Sequence, residues 1–243
     1  KICSSNEFSQ KKDLEIGLIY LELLKNEPLA INNSFDCISM HGQTLFHIDS
    51  VLSLQLGNPK PLYDHFKVPI YYKFREKDIL LNGNGAPLVP FLDFLLYKNH
   101  KYDVITVNIG GISNISFIPS GAKSRQEVIG FDVGPGMYLI DKYMNKILNK
   151  EIDLNGNFSK KGKVHYEISN ALKTNRFINE VPPKSTHTKD YDILFNKILL
   201  KKFDNISHAD KLRTLVHFTA YCICTNIKDF VELTTKKVLV YLN

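Results

Sequence analysis

No Cys-x-x-Cys pair occurs in this sequence, and its four cysteines are scattered through 243 residues. That spacing argues against a disulfide scaffold and a structural zinc site. No apolar run approaches the roughly 18 residues needed to span a bilayer. Arginine is scarce: it supplies four of the 31 basic residues, and lysine the rest. The net charge of +6 is carried without any basic run interleaved with aromatics, so nothing points to a nucleic-acid surface. Repeats and low-complexity linkers are missing too. What is present is an ordinary globular balance, 44% hydrophobic and 23% charged with 11% aromatics, which excludes wholesale disorder and fibrous classes. The length allows one large or two small domains. The sequence opens on Lys rather than Met, which leaves a targeting segment open.

Periodicity predicts an amphipathic helix over Asp13 to Lys25, with Leu14, Leu18, Leu21 and Leu24 at helical spacing. Phe35 to Met40 reads as a short buried strand, with His41-Gly42-Gln43-Thr44 at its end. Pro59 to Tyr72 reads as loop plus a short strand, and Leu88 to Tyr97 as a short helix. Asp103 to Ile109 and Ile112 to Ile118 read as two strands of a hairpin turning on Gly110-Gly111. Val128 to Val133 is a further strand, and Gly134-Pro135-Gly136 opens a helix carrying Met137, Ile140, Met144 and Ile147 on one face. Helices are expected around Val164 to Leu172, over Tyr191 to Phe203 and over Ala209 to Leu233, and a last strand over Val238 to Leu242. The polar patch Lys98 to Tyr102 is the best boundary, giving α/β domains over 1–101 and 102–243.

Several stretches carry candidate chemistry, each beside an ordinary structural reading. Two glycines at the tip of the hairpin let a backbone approach a phosphate, and successive amides there can hold it; the alternative is a plain hairpin. In Phe131-Asp132-Val133-Gly134-Pro135-Gly136 a carboxylate ends a strand where a helix N-terminus favours anions. Asp132 is awkward there unless it moves protons, or else it is an N-cap. Arg75 and Asp78 stand beside the turn Gly83-Asn84-Gly85-Ala86-Pro87. Arg75 can fork onto a sugar carboxylate, or both can be surface ions beside a turn. Pro182 and Pro183 hold a rigid loop that can aim Lys184 at an anion, or simply enter a helix. Neither Cys222 and Cys224 nor His41 and His47 form a metal set.

Taken in order, these stretches resemble the anhydro-N-acetylmuramic acid kinase family. The resemblance rests on HGQTLFH (His41 to His47), LQLGNP (Leu54 to Pro59), FREKD (Phe74 to Asp78) and NGNGAPLVP (Asn82 to Pro90). It continues in NIGGISNISF (Asn108 to Phe117), GFDVGPGM (Gly130 to Met137) and PPKST (Pro182 to Thr186). It implies the sugar kinase, actin and Hsp70 ATPase superfold, with two α/β domains of ribonuclease H-like topology closing on ATP. It implies a cytoplasmic enzyme of cell-wall sugar recycling that uses ATP and Mg2+. Such an enzyme opens the 1,6-anhydro ring with water and phosphorylates O6. By resemblance Asp132 is the catalytic base. Arg75, Asp78, Gly85, Ala86, Pro87, Lys184 and Ser185 line the sugar pocket, and Asn108, Gly110, Gly111, Asn114, Gly134 and Gly136 the ATP phosphates. The implied partners are the amino sugar and ATP, with no nucleic acid and no membrane; a homodimer stays open.

The sequence departs from the family pattern in places. The family opens on a Gly-Thr-Ser-x-Asp-Gly turn that has no counterpart in Lys1 to Phe35, and closes on a Gly-Gly-Gly motif after the strand matched by Val238 to Leu242. Both nucleotide-binding ends are therefore expected to be missing, and these 243 residues alone are not expected to turn over ATP. Met137 replaces an Asn, and His187-Thr188-Lys189 replaces Gly-x-Glu. A catalytically dead sugar- or partner-binding relative, and a kinase of the same superfold acting on another sugar, are the alternatives.

Overall fold

A computed structural model describes residues 2–28 and 35–242. By contacts the chain divides into two compact units, Lys1–Leu88 and Val89–Asn243. Both mix helices and strands, so the fold is mixed α/β. The boundary expected from sequence lies on the far side of the helix Val89–Tyr97. That helix belongs with the second unit because Phe94 packs against Val104, Ile118 and Ala122. Among the described residues no helix is long and apolar enough to cross a membrane.

The first unit opens on a helix over Ile2–Lys25, longer than its periodic stretch. Strand β1 is only Ile38–Ser39, and it pairs in parallel with β4, Ile70–Tyr71. It is neither as long nor as buried as the apolar run Phe35 to Met40 suggested. Gln43–Ile48 (β2) and Leu52–Leu56 (β3) form an antiparallel hairpin that sequence reading missed. Pro59 to Tyr72 was expected as loop and strand, yet Lys60–Phe66 is a helix. Its prolines stand in the first turn, where a missing N–H costs nothing, and Leu62 anchors it. Phe74–Leu80 is a second short helix.

The second unit is built on one sheet of β5 (Asp103–Ile109), β6 (Ile112–Ile118), β7 (Ile129–Pro135) and β8 (Val238–Leu242), in the order β7-β6-β5-β8. The first three strands are antiparallel neighbours, and β8 joins β5 in parallel. Helices cover both faces. Ile105, Val107, Ile115 and Phe117 pack with Ile223 of the helix His208–Phe230. On the other face Asp93 of Val89–Tyr97 accepts hydrogen bonds from Thr106 and Ser116, both at 2.6 Å. This double cover explains why Asp103 to Val107 is buried throughout instead of alternating. A helical layer built on Leu139, Tyr143, Met144, Leu172 and Leu215 completes the core.

Asp103 fastens the ends of the sheet. Its carboxylate accepts from Ser120 N at 2.8 Å, Thr234 N and Oγ1 at 2.6 Å each, and Thr235 N at 2.8 Å. Burial pushes its carboxyl up, but the Thr234 hydroxyl and the three amides more than offset this and hold it below the ordinary range. A depressed carboxyl stabilises the fold above the unfolded value of about 3.9, and that contribution is lost as pH falls through the folded value. Asp103→Asn is therefore expected to be less stable at pH 7 by about 1–3 kcal/mol. In urea unfolding across pH, the gap between parent and variant should close as pH drops below about 4; a constant gap would remove Asp103 from the acid response.

Candidate active site

Three adjacent strands carry a polar row. Asn108 on β5 faces Asn114 on β6, which faces Asp132 on β7. Directly paired residues share a face, and all three are half-buried. Asn108 and Asn114 lie two residues along from Thr106 and Ser116, the pair held by Asp93, and so on the same face. A bulge between Ser113 and Asn114 puts Ser113 opposite Gly134 and Asn114 opposite Asp132, leaving Val133 as the extra residue.

The hairpin tip and the helix Tyr138–Leu148 meet beside this row. The amides of Gly136, Met137 and Tyr138 donate to the carbonyls of Gly111, Gly110 and Gly111 at 2.9, 2.8 and 3.3 Å. Sequence reading had these amides as orphan donors for an anion, but they close the junction between two turns instead. Gly136 is required by that junction, since a Cβ there would stand 2.1 Å from Gly110 O. Gly134 is required by the helix His208–Phe230, whose Cys222 Cβ and Sγ would lie 2.9 and 3.0 Å from an added Cβ. Both glycines thus have packing reasons. Gly110 and Gly111 have none: neither takes a positive φ, and an added Cβ would meet nothing nearer than 3.5 and 3.7 Å. Their bare backbone faces room that a ligand can use.

Asp132 is clamped by the loop that follows Pro182-Pro183. Its amide donates to Lys184 O at 3.1 Å, and its Oδ2 accepts from Thr186 N at 3.0 Å. Ser185 lies half-buried between these two contacts. Lys184 does not reach out toward an anion. Its ammonium turns inward and donates to the carbonyls of Phe177 and Ile178, both at 3.0 Å. On the far side Asp190 Oδ2 accepts from Thr186 Oγ1 at 3.0 Å and His187 N at 2.9 Å. Tyr191 is fully buried, and burial holds its phenol well above the ordinary range. Sequence reasoning held Thr186 only as part of PPKST, without this role, and missed Asp190 and Tyr191. No spacing rule could find them, because Thr186 lies 54 residues from Asp132.

The remaining candidates form a second group, within the first unit. Arg75 and Asp78 grip the backbone of Gly85 from both sides. Arg75 Nη1 donates to Gly85 O at 2.9 Å, and Asp78 Oδ2 accepts from Gly85 N at 2.8 Å. Arg75 Nε also donates to His41 Nε2 at 2.8 Å. His41 therefore carries its proton on Nδ1, which lies 2.9 Å from Gly42 O. Gly85 takes φ +78°, and an added Cβ would stand 2.8 Å from Ile79, so only glycine fits the turn. Ala86 and Pro87 follow from it, joined by a cis peptide. Arg75 and Asp78 hold this turn in shape, whereas the sequence left them as either a sugar contact or surface ions beside a turn.

A family model for anhydro-N-acetylmuramic acid kinase matches residues 7–241. The chain belongs to that family. Among curated relatives, the anhydro-N-acetylmuramic acid kinase of Clostridioides difficile (strain 630) is 33% identical over 239 residues, covering 95% of this chain. That of Bacillus cereus (strain 03BB102) is 34% identical over 241 residues, as is that of Bacillus anthracis, again covering 95% of the chain. The chain spans 60% of the length of each relative. For this family member, two kinds of glycine separate by experiment. Gly136→Ala is expected to cost about 1–3 kcal/mol, the usual penalty of overpacking. Gly110→Ala and Gly111→Ala should stay within about 1 kcal/mol of the parent in urea unfolding. Equal losses at all three positions would mean that the hairpin tip is packed after all.

Proposed function

We propose that the protein is a kinase that opens the anhydro ring of 1,6-anhydro-N-acetylmuramic acid and phosphorylates O6, with Asp132 as base. The observation that carries this reading is the polar row Asn108–Asn114–Asp132 beside the hairpin tip. It joins a clamped carboxylate to a bare glycine backbone on one sheet. The names of the relatives supply the substrate class. The strand order β7-β6-β5-β8, with three antiparallel strands and a parallel fourth, supports the ribonuclease H-like reading of this unit. The two-domain sugar-kinase architecture is part of the proposal.

The residues present fit a nucleotide's phosphates at the hairpin, where Gly110 and Gly111 leave open the space a Cβ would fill. ATP, when bound, supplies the transferred phosphoryl group. Magnesium takes most of its ligands from phosphates and water. No group of three protein ligands is then needed, and among the described residues none occurs. Asp132 takes a proton from water as the water oxygen bonds to C1 of the sugar. The C1–O6 bond breaks, and O6 becomes the acceptor of the phosphoryl group. Thr186 N stabilises the charged carboxylate that this step requires. Within the first unit, Arg75 and Asp78 hold the Gly83–Pro87 turn in shape for the proposed sugar contact.

The test is turnover of the anhydro sugar with ATP and magnesium, measured on the 243 residues and on a chain extended to the relatives' length. Asp132→Asn should lower kcat by on the order of 10² or more with KM little changed, because Asn keeps the shape but cannot take the proton. Retained turnover would place the base elsewhere. Sugar binding without turnover in the extended parent would favour a catalytically silent binding relative. Gly110→Ala should raise KM for ATP several-fold in a protein as stable as its parent; an unchanged KM would remove the hairpin from the nucleotide site.

A further inference from the structure

Lys184 is only 7% exposed, and among the described residues its ammonium makes no salt bridge. It sits among three aromatic rings, 4.8 Å from the centre of Phe177, 4.9 Å from Phe230 and 5.8 Å from Phe131. A leucine or methionine would fill such a cage without the cost of burying a charge. What an apolar side chain cannot do is bridge the two carbonyls of Phe177 and Ile178, in the 3-10 turn Arg176–Asn179. Within three residues the loop therefore makes three different attachments. The Lys184 ammonium enters the core, its carbonyl receives the Asp132 amide, and the Thr186 amide holds the Asp132 carboxylate.

We propose that Lys184 is the positioning residue for Asp132, an anchor that fixes the loop clamping both the backbone and the carboxylate of the base. This rests on the assignment of Asp132 made above. Fixing Oδ2 on the Thr186 amide fixes the plane of the carboxyl group, and with it the direction from which a proton can be taken. Two prolines stiffen the approach to the anchor, and Asp190 closes the far side through Thr186 Oγ1 and His187 N. The groups around the pair are identifiable. Glu180 and Cys222 act on the ammonium, which burial lowers to about 8. Asp190, Cys222 and Asp132 act on the buried Tyr191.

The test compares Lys184→Met and Lys184→Arg with the parent, reading the Asp132 carboxyl by 13C NMR titration and turnover by kcat and KM. Met keeps the stem in the aromatic cage, so a folded protein is expected. The Thr186 amide favours the charged carboxylate, so loosening its loop should raise the pH at which Asp132 titrates. At the same time kcat should fall tenfold or more with KM for the sugar within twofold, and Lys184→Arg, which can donate to the same carbonyls, should recover part of it. A folded Lys184→Met whose Asp132 titrates as in the parent overturns the proposal, whatever its turnover. If Lys184→Met does not fold, Lys184→Gln, whose shorter arm cannot bridge both carbonyls, is titrated by the same criterion. Should Asp132→Asn prove active, the base assignment fails while the titration still decides whether Lys184 positions Asp132.

Discussion

Three backbone amides donating to two carbonyls hold the candidate site together. Gly136, Met137 and Tyr138 reach Gly110 and Gly111 at the tip of the hairpin. Through them the start of a helix is tied to the tip of the β5–β6 hairpin, and β7, which runs into that helix, is seated beside β6. The contact is close enough that position 136 tolerates no side chain. Helix ends leave donors unsatisfied, and a loop carbonyl satisfies them as well as a side-chain cap does. Here the N-cap residue is Met137, which has no capping side chain, and the hairpin takes over that role. Further support comes from behind, where Thr219 donates to Gly136 O at 2.8 Å and Asn226 to Val133 O at 3.2 Å.

Much of this was legible from the residues. The strands of the β5–β6 hairpin fall where the alternation of apolar residues and the Gly-Gly pair put them, because one face is apolar and packs on a helix while the polar residues of the other are hydrogen-bonded to Asp93 or form the polar row. The helix after Gly134-Pro135-Gly136 was legible for the same reason: Ile140 and Met144 are buried at a spacing of one turn. The first unit was read less well. Its hairpin carries Leu45, Phe46, Ile48, Leu52 and Leu54 largely exposed, so no burial contrast marked its strands. The prolines near Lys60 signalled loop, but in a first turn they are compatible with a helix.

The site was legible in its residue types more than in its roles. A glycine motif announces that the backbone must come close to something, without saying to what. At Gly134 and Gly136 the neighbour is protein, a helix in one case and a carbonyl in the other. At Gly110 and Gly111 the structure supplies no neighbour that would exclude a side chain. Charged residues show the same ambiguity. Arg75 and Asp78 grip opposite sides of one peptide, and Lys184 buries its charge on carbonyls, yet in sequence all three look like ligands for an anion or a sugar. Only tertiary contacts distinguish a group that holds a turn from one that holds a substrate.

The placement of Asp132 follows from these constraints taken together. A carboxylate near a helix start gains from the positive end of the dipole, and each hydrogen bond to it also makes it a weaker base. Proton transfer needs a carboxylate that is charged in the resting protein and still able to take a proton. The first-turn amides nearest the strand end, which could otherwise stabilise the anion most, are committed to the hairpin. The Thr186 amide, brought in by a separate loop, holds one oxygen instead. One oxygen of the carboxylate is thus held by that loop, itself anchored by the buried ammonium of Lys184, while the helix on which the sequence motif is centred gives its first amides to the hairpin.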